Sequence, residues 1–223
     1  MNQKITDLKN GVTNHFRQKY FPSKCIAVIL AVCMMGFAIS FLLRIHFGAD
    51  PCSNMNQGLS AIFHMSFGNW QLLFNSILFC ITVFFDPHKI GVGTLANMVL
   101  VGYSADFCGY ILDQLIHQTF WQPMGHRILI LVPALLLFII SASFYMAVDL
   151  GTAPYDAICF ILSDHLPNIP FRVIRIVWDS IAMVIGLVTG GGFGIVTLIM
   201  AFCLGPAISA VQGMVTKIWK YTY

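Results

Sequence analysis

The sequence predicts an all-α polytopic membrane protein made of two tandem homologous repeats, and three observations carry that prediction. Of 223 residues, 58% are hydrophobic and only 9% charged, with a mean hydropathy of +0.80. A water-facing domain carries roughly 25% charged residues, so this chain is too poor in charge to cover a surface in water. Uncharged runs recur along it, and in hydrocarbon each backbone N–H and C=O must be paired within a helix or a closed barrel. Finally, glycine-proline motifs return at a fixed offset.

The nine acidic residues are all Asp and there is no Glu, so the Glu/Lys pairs that support solvated helices are missing. The net charge of +3 comes mostly from basic residues near the two ends. Such an excess reports membrane orientation and points away from nucleic acid. Seven Cys are scattered without a CxxC pair or a nearby His ligand at zinc spacing, which predicts buried thiols, no metal and no cofactor.

Residues 1–24 are polar and basic, a predicted cytoplasmic N-terminal segment. The apolar run that follows, Cys25 to Leu43, is longer than the core of a removable signal, so a retained span is expected near 25–46. Further uncharged runs cover Phe67–Phe85, Ile90–Ala105, Ile128–Val148 and Ser180–Thr216. The last is 37 residues, about twice what a roughly 30 Å core needs, and Gly190, Gly191 and Gly192 interrupt it. Six spans follow, near 25–46, 68–86, 90–112, 127–149, 171–189 and 193–215. Residues 113–126 form a wetter linker and 216–223 a cytoplasmic tail.

Gly48-Ala49-Asp50-Pro51 and Gly151-Thr152-Ala153-Pro154 lie 103 residues apart, and the same offset pairs Ser60 with Ser163, Gly91 with Gly194, Thr94 with Thr197 and Gly102 with Gly205. One extra residue then pairs Gln71 with Arg175 and Asn75 with Asp179. Repeat A is thus expected over 25–112 and repeat B over 127–215, each a span, a Gly-x-x-Pro break, a short polar segment and two more spans. The short segments, 51–66 and 154–166, are polar and shorter than a usual span. If they dip as half-helices, the chain has six spans and the repeats are inverted, as in many secondary transporters. If they cross, it has eight spans and parallel repeats. Basic residues leave both topologies with ten inside and two outside.

The motifs Gly48-x-x-Pro51 with Gln57-Gly58-Leu59-Ser60, Phe67-Gly68-Asn69-Trp70, Ile90-Gly91-Val92-Gly93-Thr94 with Asn97 and Gly102, and Gly151-x-x-Pro154-Tyr155-Asp156 resemble the YczE/YyaS/YitT group of bacterial integral membrane proteins. The resemblance covers roughly residues 25 to 215. It implies a multi-pass protein of the bacterial cytoplasmic membrane, sometimes linked to transport or to secondary-metabolite production. The family pattern favours an aromatic residue then Asp after each Pro. Here Tyr155-Asp156 keeps it and Cys52-Ser53 does not, against a symmetric pair of carboxylates.

Gly at the break permits the sharp approach, and Pro fits the first helical turn. A helix N-terminus inside the bilayer draws an anion or a carboxylate, whereas at the membrane surface Asp50, Ser53 and Asp156 would be ordinary caps. Ser53, Asn56, Gln57 and Ser60 share one helical face, as do Asp156 and Ser163. Such a stripe lines a cavity or lies at the interface in water. The fifth span carries Arg172, Arg175 and Asp179 on one face with Trp178 beside them, and the duplicate positions Gln71 and Asn75 are neutral but polar. Each intramembrane charge costs at least about 2.5 kcal/mol, so these are expected to be paired, hydrated or functional. A structural Arg175–Asp179 pair with an interfacial Arg172 is the plainer alternative.

The composite expectation is a small secondary transporter or exporter, not an enzyme. Its site would lie at the repeat interface, where Arg172 or Arg175 engages an anionic or zwitterionic solute and Asp156 or Asp179 couples a proton. The rivals are a membrane scaffold that binds a partner protein, and, third, a membrane enzyme, which no nucleophile–base or metal set favours. Small residues permit a homodimer without requiring one.

Overall fold

In the computed structural model, residues 21–192 and 194–222 are described. Most of the predicted N-terminal segment, up to residue 20, lies outside them, as does Phe193 at the start of the predicted sixth span. Eight α-helices follow one another among the described residues: α1 Phe21–Arg44, α2 Pro51–Ile62, α3 Phe67–Phe85, α4 Val92–Leu115, α5 Met124–Val148, α6 Pro154–His165, α7 Phe171–Val188 and α8 Ile195–Thr222. Single 3-10 turns, Pro87–Lys89 and Gln118–Trp121, join α3 to α4 and α4 to α5. Each predicted span and short segment corresponds to one helix. The linker is narrower than expected because α4 runs to Leu115 and α5 starts at Met124, and α8 continues through the residues expected to be a tail.

Among the described residues five helices, α1, α3, α4, α5 and α8, are long and apolar enough to cross a membrane. The fifth predicted span, α7, has 18 residues and carries Arg172, Arg175 and Asp179. Many large apolar side chains point outward, Leu129 at 74% exposure and Val188 at 80% among them. In water that surface would be a liability, and in lipid it is the wall. The chain is a multi-pass helical membrane protein.

The helices sort into two layers. α1, α4, α5 and α8 build the larger apolar core, with Val28, Val32, Ile39 and Leu42 of α1 at its centre. α2, α3, α6 and α7 surround a smaller one of Met55, Leu78, Tyr155, Ile158, Ile161 and Ala182. Across the midline α2 packs on α7 and α3 on α6, so each short helix leans on a long helix from the other half of the chain.

Directions follow from contacts. Arg44, ending α1, grips Asp113 near the end of α4, so these helices run the same way. Arg127, opening α5, donates from Nε to Ile45 O at 2.5 Å, so α5 runs back beside α1. Phe63, just after α2, stacks on Trp70 of α3 at 4.6 Å, and the backbone of Gly68 donates to Asp106 of α4. The end of α1, both sides of the α2–α3 junction and the end of α4 therefore share one end of the bundle. The start of α2 does not: Asp50 and Ser53 share a cavity with Met35 and Ile39, between about 7 and 14 Å along α1 from Arg44 at 1.5 Å per residue.

The two breaks lock reciprocally. Gly93 donates its N–H to Leu150 O at 2.7 Å, and Val196 donates to Phe47 O at 3.2 Å. Gly48 and Gly151 adopt φ of +94° and +112°, a left-handed region open to glycine at little cost. Gly48 is pressed against Gly194 and Thr197, and Gly151 against Gly91 and Thr94.

Candidate functional site

Between the two layers lies a cavity of about 90 Å³. One wall, from α1, α4, α5 and α8, is mostly apolar, with Asn97 and Tyr145 as its polar members. The other is polar and comes from the starts of α2 and α6 and the faces of α3 and α7 that meet them. At about 30 Å³ of liquid per water, the space suits roughly three waters or a solute of a few heavy atoms.

Both short helices begin at this cavity. Pro51 and Pro154 take the first helical turn, where a missing N–H leaves nothing unpaired. Asp50 caps α2, its Oδ2 accepting the Ser53 N–H at 3.0 Å. Ala153 supplies no side-chain cap to α6, whose first turn instead holds Asp156. Each positive helix end therefore already faces a carboxylate of its own chain.

Arg175 of α7 joins the second half together. Its Nη1 binds Asp156, and its Nε donates to Asp179 Oδ2 at 3.0 Å. The Tyr155 hydroxyl donates to Asp179 Oδ1 at 2.8 Å, and the guanidinium carbon stands 5.6 Å from the centre of the Tyr155 ring. Asp179 is only 4% exposed. Removing one member of such a largely buried set strands the others, at about 3–5 kcal/mol.

The expected site residues divide by place. Ser53, Gln71, Asn75, Asp156, Arg175 and Asp179 line the cavity, together with Pro51 of the break. Trp178 stands behind it, its ring centroid 5.6 Å from that of Tyr155. Asn56 is fully buried and donates to Cys52 Sγ at 3.4 Å. Gln57 and Ser60 line a separate cleft beside Arg44, Asp106 and Asp113, Ser163 is half-buried in the last turn of α6, and Arg172 lines a cleft between α7 and α8. The polar stripe of α2 thus runs outward from the cavity, and only its inner end reaches it.

Asp50, Cys52, Tyr155, Asn97 and Tyr145 also line the cavity and were missing from the expected set. Asp50 reads from sequence as a cap, which it is, while its second oxygen turns elsewhere. The aromatic-then-Asp step after Pro154 was the available signal for Tyr155.

Residues 22–213 match the model of a family of unknown function, DUF6198. An uncharacterized protein of Haemophilus influenzae is 21% identical over 203 residues, covering 90% of this chain and 88% of that protein. The uncharacterized membrane protein YczE of Bacillus subtilis is 24% identical over 117 residues, 52% of each chain. No solved structure matches. With nearly the whole helical region matched, the chain belongs to the DUF6198 family, the YczE-like membrane proteins.

Proposed function

We propose that this protein is a small secondary transporter or exporter of the bacterial cytoplasmic membrane, with both termini cytoplasmic, that moves its solute without chemically changing it. Its architecture is read as two inverted repeats, α1–α4 and α5–α8, with six spans and two re-entrant half-helices. The reciprocal hydrogen bonds at the two breaks and the exchange of short helices between halves support that reading. So does the length of α2 and α6, 12 residues each, or about 18 Å against a roughly 30 Å core.

The observation that carries the transport reading is the meeting of two proline-led helix starts at one cavity among buried charges, the plan of broken-helix transporters. A scaffold has no need of such charges in a hollow. Arg175 is already engaged by two carboxylates, which favours a zwitterionic solute over a purely anionic one. The division into two layers further favours rocking of α2/α3/α6/α7 against α1/α4/α5/α8, with the cavity exposed to alternate sides.

Exchange of radiolabelled glycine into proteoliposomes, with acetate as the anionic control, tests the function. Arg175→Gln and Asp179→Asn are expected to abolish exchange in protein that still elutes as a single species. Undiminished exchange in both folded variants sinks the assignment. For topology, His64→Cys and Asp164→Cys sit at the exposed ends of α2 and α6. A membrane-impermeant maleimide labels them from opposite faces if the helices dip, and from the same face if they cross.

A further inference from the structure

The cavity holds Asp50, Asp156 and Asp179 against a single guanidinium, Arg175, a formal excess of two negative charges. Arg175 spans two of the carboxylates, and each helix N-terminus faces one as well. What remains unanswered is acceptor capacity. Asp50 is 7% exposed and Gln71 6%, yet among the described residues Asp50 Oδ1 and Gln71 Oε1 have no hydrogen-bond partner. Both residues line the cavity. A buried carboxylate oxygen and a buried amide oxygen left without a partner on two residues beside one hollow are costly unless a donor arrives to meet them.

We infer that the cavity receives a small cationic nitrogen, the ammonium of an amine or amino acid, bound by Asp50 Oδ1 and Gln71 Oε1. This rests on the reading of the cavity as the solute site and deepens it. An ammonium offers three donors, a match to unanswered oxygens, and it relieves the excess charge. A divalent metal is poorly served, because hard cations ask for six or more oxygens or several waters, and no cluster of three His, Cys, Asp or Glu is arranged to hold one among the described residues. An anion would face a guanidinium already engaged by two carboxylates, with Asp50 opposing it. Asp50 has no acidic counterpart in the second half, where Ala153 stands. The first half thus supplies the carboxylate with an unpartnered oxygen, and the second half two that are already paired with Arg175.

The test is binding to the purified protein in detergent, by calorimetry, with methylammonium chloride, sodium chloride and sodium acetate at matched ionic strength. Saturable heat with methylammonium alone is expected. Asp50→Asn keeps a good helix cap and removes the charge, so it is expected to weaken methylammonium by about tenfold or more, the loss of one charge-assisted hydrogen bond. Gln71→Leu weakens it less. Binding of acetate without methylammonium overturns the inference, as does equal binding of sodium, which would make the site one for an inorganic cation. Unchanged affinity in a monodisperse Asp50→Asn also overturns it, and Gln71→Leu repeats that check should Asp50→Asn not fold. If methylammonium binds and proteoliposome exchange is absent, transport fails and the site stands. If exchange survives Asp50→Asn unchanged, the site fails and transport stands.

Discussion

The seam between α3 and α4 and the seam between α7 and α8 occupy equivalent places in the two halves of the chain and are packed in opposite ways. In the first, Gly68 and Gly102 press backbone to backbone, so that a Cβ on Gly102 would stand 2.7 Å from Gly68 Cα. In the second, Arg172 stands where Gly68 does, a Cβ on Gly205 would meet nothing within 4 Å among the described residues, and a cleft of about 250 Å³ separates the helices. Small residues let membrane helices close up by dispersion and backbone contact, and a long cation prevents it. The face that follows repeats the contrast, with Gln71 and Asn75 in α3 against Arg175 and Asp179 in α7. One half is a tight neutral support, and the other is a looser charged one.

Making the second half neutral like the first gives the largest expected effect. Arg175→Gln copies Gln71 into α7 and leaves buried Asp179 and half-buried Asp156 without their cation, at a cost of about 3–5 kcal/mol. Thermal stability in detergent, followed by size exclusion, should fall steeply. Adding Asp156→Asn and Asp179→Asn should restore most of it, because the stranded carboxylates are then gone. If the single variant is as stable as the parent, the network contributes nothing and the comparison loses its electrostatic half.

Much of this was legible in the sequence, and the limits have physical causes. Eight helices and two breaks were readable because Gly-x-x-Pro has one local meaning and uncharged runs of span length have another. The grouping of Arg175, Asp179 and Asp156 was half readable: Arg175 and Asp179 are one turn apart on α7, whereas Asp156 comes from α6, and helical spacing says nothing about contacts between helices. Arg172 shares the face by spacing yet lines the α7–α8 cleft, since three residues of helix carry it a turn away from the cavity. Asp50 was legible as a cap and not as a wall, because a capping carboxylate uses one oxygen and the fold decides where the other points. The layers were not readable at all, as they arise from α2 packing on α7 and α3 on α6.

A smaller effect is expected from bulk at the two paired glycines. Gly102→Leu drives a side chain into the backbone of Gly68, and overpacking of that kind costs about 1–3 kcal/mol. Gly205→Leu enters the open cleft and should change stability by no more than about 0.5 kcal/mol. Equal losses from the two substitutions, measured by the same melting assay, would show that the seams are alike after all.

The smallest effect separates two reasons why the second seam is open. Arg172 lines the cleft, and so does Pro206, which lies inside α8 and has no backbone N–H to give the helix there. Its counterpart in α4 is Tyr103, by the same offset that pairs Gly102 with Gly205. If the arginine holds the helices apart, Arg172→Gly recreates the glycine pair of the first seam and lets α7 approach α8. Stability then falls by no more than about 1 kcal/mol, the helix cost of a glycine, since Arg172 is exposed. The approach itself is readable as a faster disulfide between Ile176→Cys and Ala201→Cys, two residues that line the cleft. If Pro206→Ala speeds that cross-link and Arg172→Gly does not, Pro206 is the cause, and the missing glycine at position 172 is its accommodation.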